Sequence, residues 1–174
     1  MAQSNFTYLS YIRTTPERLW SALTDTEILH QYWLGIKWES QFTAGSPWKM
    51  ILADGEVVDA GTVVSVEPLR RLVLRWRHQK NAELKAEGES ICTMELESTE
   101  TSVKLSVTHT IDREPSKFIA AISVGWPQII SNLKSLLETG STIDVMHIHD
   151  TSNTNFKMRQ FESHRGGGYK IKVL

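Results

Sequence analysis

Apolar residues along the chain follow two periods, and the places where one replaces the other mark out its elements. Phe6, Tyr8, Ser10 and Ile12 alternate with Thr7, Leu9 and Tyr11, which predicts a strand over 6–14. Thr15-Pro16-Glu17 follows, with a capping hydroxyl and a proline suited to the first helical position. Leu19, Trp20 and Leu23 then lie at helical spacing. After Thr24-Asp25 a second short helix carries Ile28, Leu29, Tyr32 and Trp33 and stops at Gly35. From Ile36 the period becomes two, broken at Ala44-Gly45-Ser46-Pro47, Ala53-Asp54-Gly55-Glu56 and Glu67-Pro68, all turn-forming groups. Strands are predicted over 36–43, 47–53, 56–67 and 69–78. In the last, Leu72, Leu74 and Trp76 oppose Arg71, Val73, Arg75 and Arg77, so one face is apolar and the other basic.

The charged run Asn81–Gly88 reads as a loop, and 90–97 with 102–110 as a hairpin turning near Ser98-Thr99-Glu100. Val103, Leu105, Val107 and His109 share a face. Helical spacing resumes at Ser116. It is strongest from Trp126 to Glu138, where Ile129, Ile130, Leu133, Leu136 and Leu137 form a stripe and Gly140 occupies a C-cap position. Pro127 lacks an N–H and crowds the preceding turn, so it marks the start of that helix or a kink in it. One domain is expected over 1–140. Residues 141–174 form a polar extension, with Gly166-Gly167-Gly168 before the alternating Tyr169–Leu174. This extension is either partly unstructured or an added strand on a sheet edge of its own chain or of a neighbour.

Composition narrows the class. With 174 residues, 40% hydrophobic and 22% charged, the chain is long enough for one real core; a domain of about 150 residues buries roughly 70% of its unfolded surface. A formal net charge of −1 sets up no field for nucleic acid or an anionic membrane, so neither is an expected partner. Cys92 is the single cysteine, which excludes an intrachain disulfide and a cysteine metal cluster. The opening residues lack a basic segment followed by an apolar run, and no stretch reaches membrane length. A cytoplasmic protein is therefore expected.

Three stretches resemble the family named for the activator of heat-shock protein 90 ATPase, within the START and Bet v 1-like superfamily. They are Thr15–Thr24; Gly61–Pro68 running into Arg71-Leu72-Val73-Leu74-Arg75-Trp76; and, most specific, Gly125-Trp126-Pro127-Gln128 through Gly140. The resemblance spans about residues 6–140. It implies an α+β helix-grip fold: a curved antiparallel sheet of six to seven strands around a long C-terminal helix, with two short helices after the first strand. In many relatives a cavity between sheet and helix accepts a hydrophobic ligand. The family name also suggests a chaperone or another stress-response protein as partner, and the extension leaves monomer and homodimer both open.

The candidate site is an apolar cavity lined by Trp33, Trp76, Met94, His109, Phe118, Trp126 and Ile130. Plain core packing accounts for the same pattern. His109 closes an otherwise apolar face. It either hydrogen-bonds a ligand, serves as acid or base in a cavity enzyme, or is a buried histidine satisfied by the protein. Asp54, Glu56 and Asp59 flank Gly55 and read as a solvated hairpin tip rather than a catalytic carboxylate pair. His147 and His149 lie two apart near Asp150, a weak pattern for metal. Cys92, with no histidine placed to activate it, reads as a small buried residue. Arg70, Arg71, Arg75, Arg77 and His78 read as a solvated face. No catalytic motif or cofactor signature occurs.

Overall fold

The computed structural model describes residues 2–143. Within them a seven-stranded antiparallel sheet has the order β1-β7-β6-β5-β4-β3-β2. Its strands are β1 (Ser4–Ile12), β2 (Lys37–Ser40), β3 (Pro47–Ile51), β4 (Val57–Glu67), β5 (Arg71–His78), β6 (Ser90–Ser98) and β7 (Val103–Ile111). The helices are α1 (Pro16–Thr24), α2 (Thr26–Tyr32), α3 (Ala82–Ala86) and α4 (Lys117–Thr139). β2 through β7 form a meander, while α1 and α2 carry the chain from β1 at one edge to β2 at the other. The fold is the helix-grip arrangement that the residue pattern suggested.

Alternation sets the register. Phe6 pairs with His109, Tyr8 with Val107 and Ile12 with Val103, so one face of β1 and β7 turns to α4 while Leu9 and Tyr11 are exposed. The β4 pairings shift between Met50 and Ile51 and again between Val63 and Ser65. An extra residue in a ladder raises local twist. The helices begin on side-chain caps: Thr15 Oγ1 accepts from Arg18 N at 3.3 Å, and Asp25 Oδ1 accepts from Glu27 N at 2.9 Å. Gly140, at φ 83°, ends α4 in the left-handed conformation. Among the described residues, no helix is long and apolar enough to cross a membrane.

Two elements differ from the residue pattern. The stretch read as a loop, Asn81–Gly88, contains α3, nucleated by Asn81 Oδ1 accepting from Glu83 N at 2.9 Å and Leu84 N at 3.2 Å. Five residues with Leu84 as the single large apolar group are too few to show a period. α4 begins at Lys117, where helical spacing resumes, and runs through Pro127, so the proline is not the start of that helix. The proline removes one ladder bond, and Ser131 Oγ donates to the Pro127 carbonyl at 2.6 Å. The 141–174 extension lies outside the described residues from position 144 on, as do His147 and His149.

The core fills the concave side of the sheet. Leu72, Leu74, Val103, Leu105 and Val107 rise from the strands to meet Ile130, Leu133 and Leu137 of α4 and Leu19, Leu23 and Leu29 of the first two helices. Cys92 is buried among them, and burial pushes its thiol well above its ordinary range. Arg71 and Arg75 of β5, and Arg70 of the turn before it, are matched by acids. Arg71 sits 3.6 Å from Glu95, Arg75 is 3.3 Å from Glu89, and Arg70 is 3.5 Å from Glu67.

Candidate functional site

Toward the α3 end of α4, side chains do not fill the space between helix and sheet. A cavity of about 180 Å³ remains, walled by Trp33, Ile36, Met50, Trp76, Phe118 and Trp126, with Leu84 of α3 at its side. α4 contributes Phe118, Ala121, Ile122, Gly125, Trp126 and Ile129, positions three and four apart that form one helical face. A side chain at Gly125 would have open space around it, for a Cβ there meets nothing within 4 Å. The small residues on this face leave the void. Leu34, also on the wall, has φ 54°, a conformation uncommon outside glycine, and with Gly35 at φ 78° it turns the chain sharply from α2 into β2.

Trp33, Trp76 and Trp126 of the wall belong to a tryptophan cluster that continues behind it through Trp38 and Trp48. Trp38 stacks on Trp48 at 5.1 Å between centroids, Trp48 lies 4.5 Å from Trp76, and Trp33 meets Trp38 and Trp126 edge-on at 4.9 and 5.2 Å. Such edge-to-face and offset contacts suit the ring quadrupole. Gly61 makes room for the arrangement. A Cβ there would lie 1.7 Å from the Arg75 carbonyl oxygen and 3.0 Å from Trp48 Nε1, the same two atoms that form a 3.1 Å hydrogen bond.

His109 is fully buried behind this wall, not on it. Trp126 Nε1 donates to its Nε2 at 2.9 Å. An indole N–H is only a donor, so Nε2 is the unprotonated nitrogen and Nδ1 carries the hydrogen. Nδ1 then donates to Ser90 Oγ at 3.2 Å, and Ser90 Oγ lies 3.5 Å from the Trp76 carbonyl. The chain ties α4 to β5, β6 and β7. Burial lowers the His109 pKa to about 3, so the ring is neutral near neutrality. Both nitrogens are held by the protein, which leaves none for acid–base chemistry on a cavity occupant. Met94 and Ile130 are also buried but do not border the void. Of the residues expected to line the cavity, the structure places Trp33, Trp76, Phe118 and Trp126 on its wall and Met94, His109 and Ile130 in the packing behind it.

Two wall residues were read otherwise from the sequence. Asp59, grouped with the exposed turn acids, is buried, and His78, grouped with the arginines, turns inward. They are direct partners in the β4–β5 ladder, with Asp59 Oδ1 2.9 Å from His78 Nδ1. Alternation held the signal: Asp59 shares parity with Gly61 and Val63, and His78 with Leu74 and Trp76. Asp54 and Glu56 remain exposed at the hairpin tip.

α3 is held over the cavity by its neighbours. Glu87 Oε2 accepts from Ser116 Oγ at 2.7 Å and Phe118 N at 3.0 Å, and Oε1 accepts from Lys117 N at 2.9 Å. Burial works against the Glu87 carboxylate, yet these three bonds hold its pKa below the ordinary value. Lys117 Nζ meets Glu83 at 2.8 Å. Among the described residues no group of three or more histidine, cysteine or acidic side chains is placed to hold a metal ion.

A sheet gripping a long helix around an apolar void defines a protein of the helix-grip, Bet v 1-like class. The family model described as Activator of Hsp90 ATPase homolog 1-like protein matches residues 13–138, and the chain belongs to that family. Among solved structures it is similar to a protein from Mesorhizobium loti, with 25% identity, 77% of this chain and 96% of that chain covered, and a TM-score of 0.68. It is also similar to the Aha1 dimer from Colwellia psychrerythraea, at 21% identity, 79% and 98% coverage and a TM-score of 0.66. An Hsp90 activator from Plasmodium falciparum shares 21% identity over 76% of this chain and 95% of its own, with a TM-score of 0.64. No curated protein sequence matches the chain.

Proposed function

We propose that this protein binds a small apolar molecule of about one ring in the cavity between β4, β5, α3 and α4. The observation that carries this reading is the unfilled, aromatic-walled space of about 180 Å³ opposite Gly125 in an otherwise closely packed core. An engineered apolar cavity of about 150 Å³ in another protein binds benzene, whereas drug-sized ligands need roughly 300 Å³ or more. Volume therefore favours a single ring over a lipid or polycyclic occupant. Burial of apolar area, at about 25 cal/mol per Å², supplies the driving force.

Benzene, toluene and indole, titrated by ligand-observed NMR alongside a long-chain fatty acid, test the proposal. Saturable binding of the rings with none of the fatty acid is the expected result. If no ring-sized compound binds, the reading fails.

Family membership favours a second reading, in which the protein acts on an Hsp90-type chaperone. Added to a purified Hsp90, it would then raise the ATPase rate, and an unchanged rate at saturating protein would remove this reading.

A further inference from the structure

We propose that Asp59 and His78 form a recognition dyad that selects a neutral phenolic hydroxyl on the ring occupying the cavity. The proposal rests on the cavity reading above and adds the chemistry of the occupant. Besides the indole N–H groups, of which Trp76 Nε1 is buried without a partner, the polar side chains on the wall are these two, which are 11% and 15% exposed and 2.9 Å apart. A few placed polar groups on an apolar wall are the usual arrangement by which a site orients its ligand. The pair is not needed to join its strands, since the β4–β5 ladder runs from Asp59 to Glu67 and from Arg71 to His78.

A carboxylate only accepts, so His78 Nδ1 is the donor to Asp59 Oδ1. In the neutral ring Nε2 keeps the lone pair, and it has no hydrogen-bond partner among the described residues. A carboxylate hydrogen-bonded to one ring nitrogen fixes the orientation of the imidazole. Nε2 of the neutral ring thus presents an acceptor to an occupant. The complementary ligand group is a hydrogen-bond donor on a molecule small enough for about 180 Å³.

An ionised carboxylic acid offers no donor and meets the negative charge of Asp59. An alkyl ammonium group would have to shed its hydration in an apolar chamber. A phenol supplies one O–H, an apolar ring matched to Trp33, Trp76 and Trp126, and no charge. No bond is made or broken: the proton stays on the phenol oxygen, shared with Nε2 as a hydrogen bond.

Phenol and toluene differ by little more than the hydroxyl and serve as the probes. Their dissociation constants are measured for the wild-type protein, His78→Leu and Asp59→Asn, with circular dichroism to check that each variant folds. Water holds phenol better than toluene, so a phenol preference has to come from the site. Wild type is expected to bind phenol about tenfold more tightly than toluene, the effect of one hydrogen bond to a polarised group. That ratio collapses in His78→Leu and shrinks in Asp59→Asn.

A wild-type ratio at or below one with toluene still bound overturns the dyad and leaves the cavity reading standing, whereas binding of neither compound removes both. Should the variants fail to fold, imidazole ¹⁵N shifts of the wild type decide the matter. Phenol, and not toluene, should move the Nε2 resonance of His78, and an unmoved resonance at phenol saturation overturns the proposal.

Discussion

α4 is one continuous helix with two unlike halves. From Ile130 to Leu137 it buries Ile130, Leu133 and Leu137 against strands and short helices. Its backbone neighbours are tied in as well: Glu138 Oε1 accepts from Arg13 N at 2.7 Å, and Lys134 Nζ donates to the Tyr11 carbonyl. From Phe118 to Ile129 it instead shows the sheet a face containing Ala121 and Gly125, and a void results. From Ile130 on the helix is structural support, and up to Ile129 it is one wall of a chamber. The same element specifies the fold and departs from close packing, and the two tasks are divided by side-chain size.

Truncation should separate the halves most sharply. Leu133→Ala, in the packed half, is expected to cost about 2–5 kcal/mol in urea unfolding, as burying an alanine where a leucine stood leaves a cavity the surroundings cannot close. A loss under 1 kcal/mol would mean that this half is loosely packed too.

The second effect lies at the junction, where Trp126 holds His109. The folded pKa of about 3 is below the value of about 6.5 for an unfolded histidine. The unfolded chain therefore takes up a proton first as pH falls, and the stabilisation present above pH 6.5 declines between there and pH 3. From pH 7 to pH 5 the loss attributable to this residue is about 2 kcal/mol. His109→Gln should reduce the difference in unfolding free energy between those two pH values, and an identical pH dependence would show that His109 is not the group responsible.

A smaller effect is expected at the chamber's cover. Glu87→Ala removes the carboxylate that accepts from Ser116, Lys117 and Phe118, a capping loss of about 1 kcal/mol. Hydrogen exchange should quicken in α3 and the first turn of α4 while the Ile130–Leu137 segment keeps its protection. Uniform acceleration would contradict the division of the helix.

The smallest change has the opposite sign. Gly125→Ala should raise stability by about 0.5–1 kcal/mol through helix propensity, because the added methyl meets only the void. It should also weaken binding of ring-sized ligands. A stabilised variant with undiminished ligand affinity would place the binding space elsewhere.

The division of α4 also explains which parts could be read in the residue pattern. The packed half shows a clean stripe, because Ile130, Leu133 and Leu137 meet the core there. The upper half keeps the helical spacing through Phe118, Ile122, Trp126 and Ile129 but interrupts the stripe with Ala121 and Gly125, and the missing side-chain volume does not announce a void in the residue pattern. The strands were legible for the same reason as the packed half: Leu72, Leu74 and Trp76 alternate against charged neighbours and must face the core. Asp59 and His78 were not placed, because their charge associates them with the acidic turn and the arginine run, while their parity puts them inside. His109 was singled out as the polar member of an apolar face, and the structure places it buried behind the wall. Which side of the wall it occupies depends on the Trp126 indole, which lies 17 residues away in sequence and is brought near only by the fold.

The tryptophan cluster has an optical consequence. Trp33, Trp38, Trp48, Trp76 and Trp126 lie within centroid distances of 4.5 to 6.0 Å along an unbroken series of contacts. Chromophores so close couple their transition dipoles and pass excitation among themselves. The near-ultraviolet circular dichroism of the native protein should accordingly be strong and collective, and should vanish in any state that keeps its helices and strands but loses side-chain order. Light absorbed anywhere in the cluster reaches the chamber wall, so the protein carries its own reporter of whether that wall is intact.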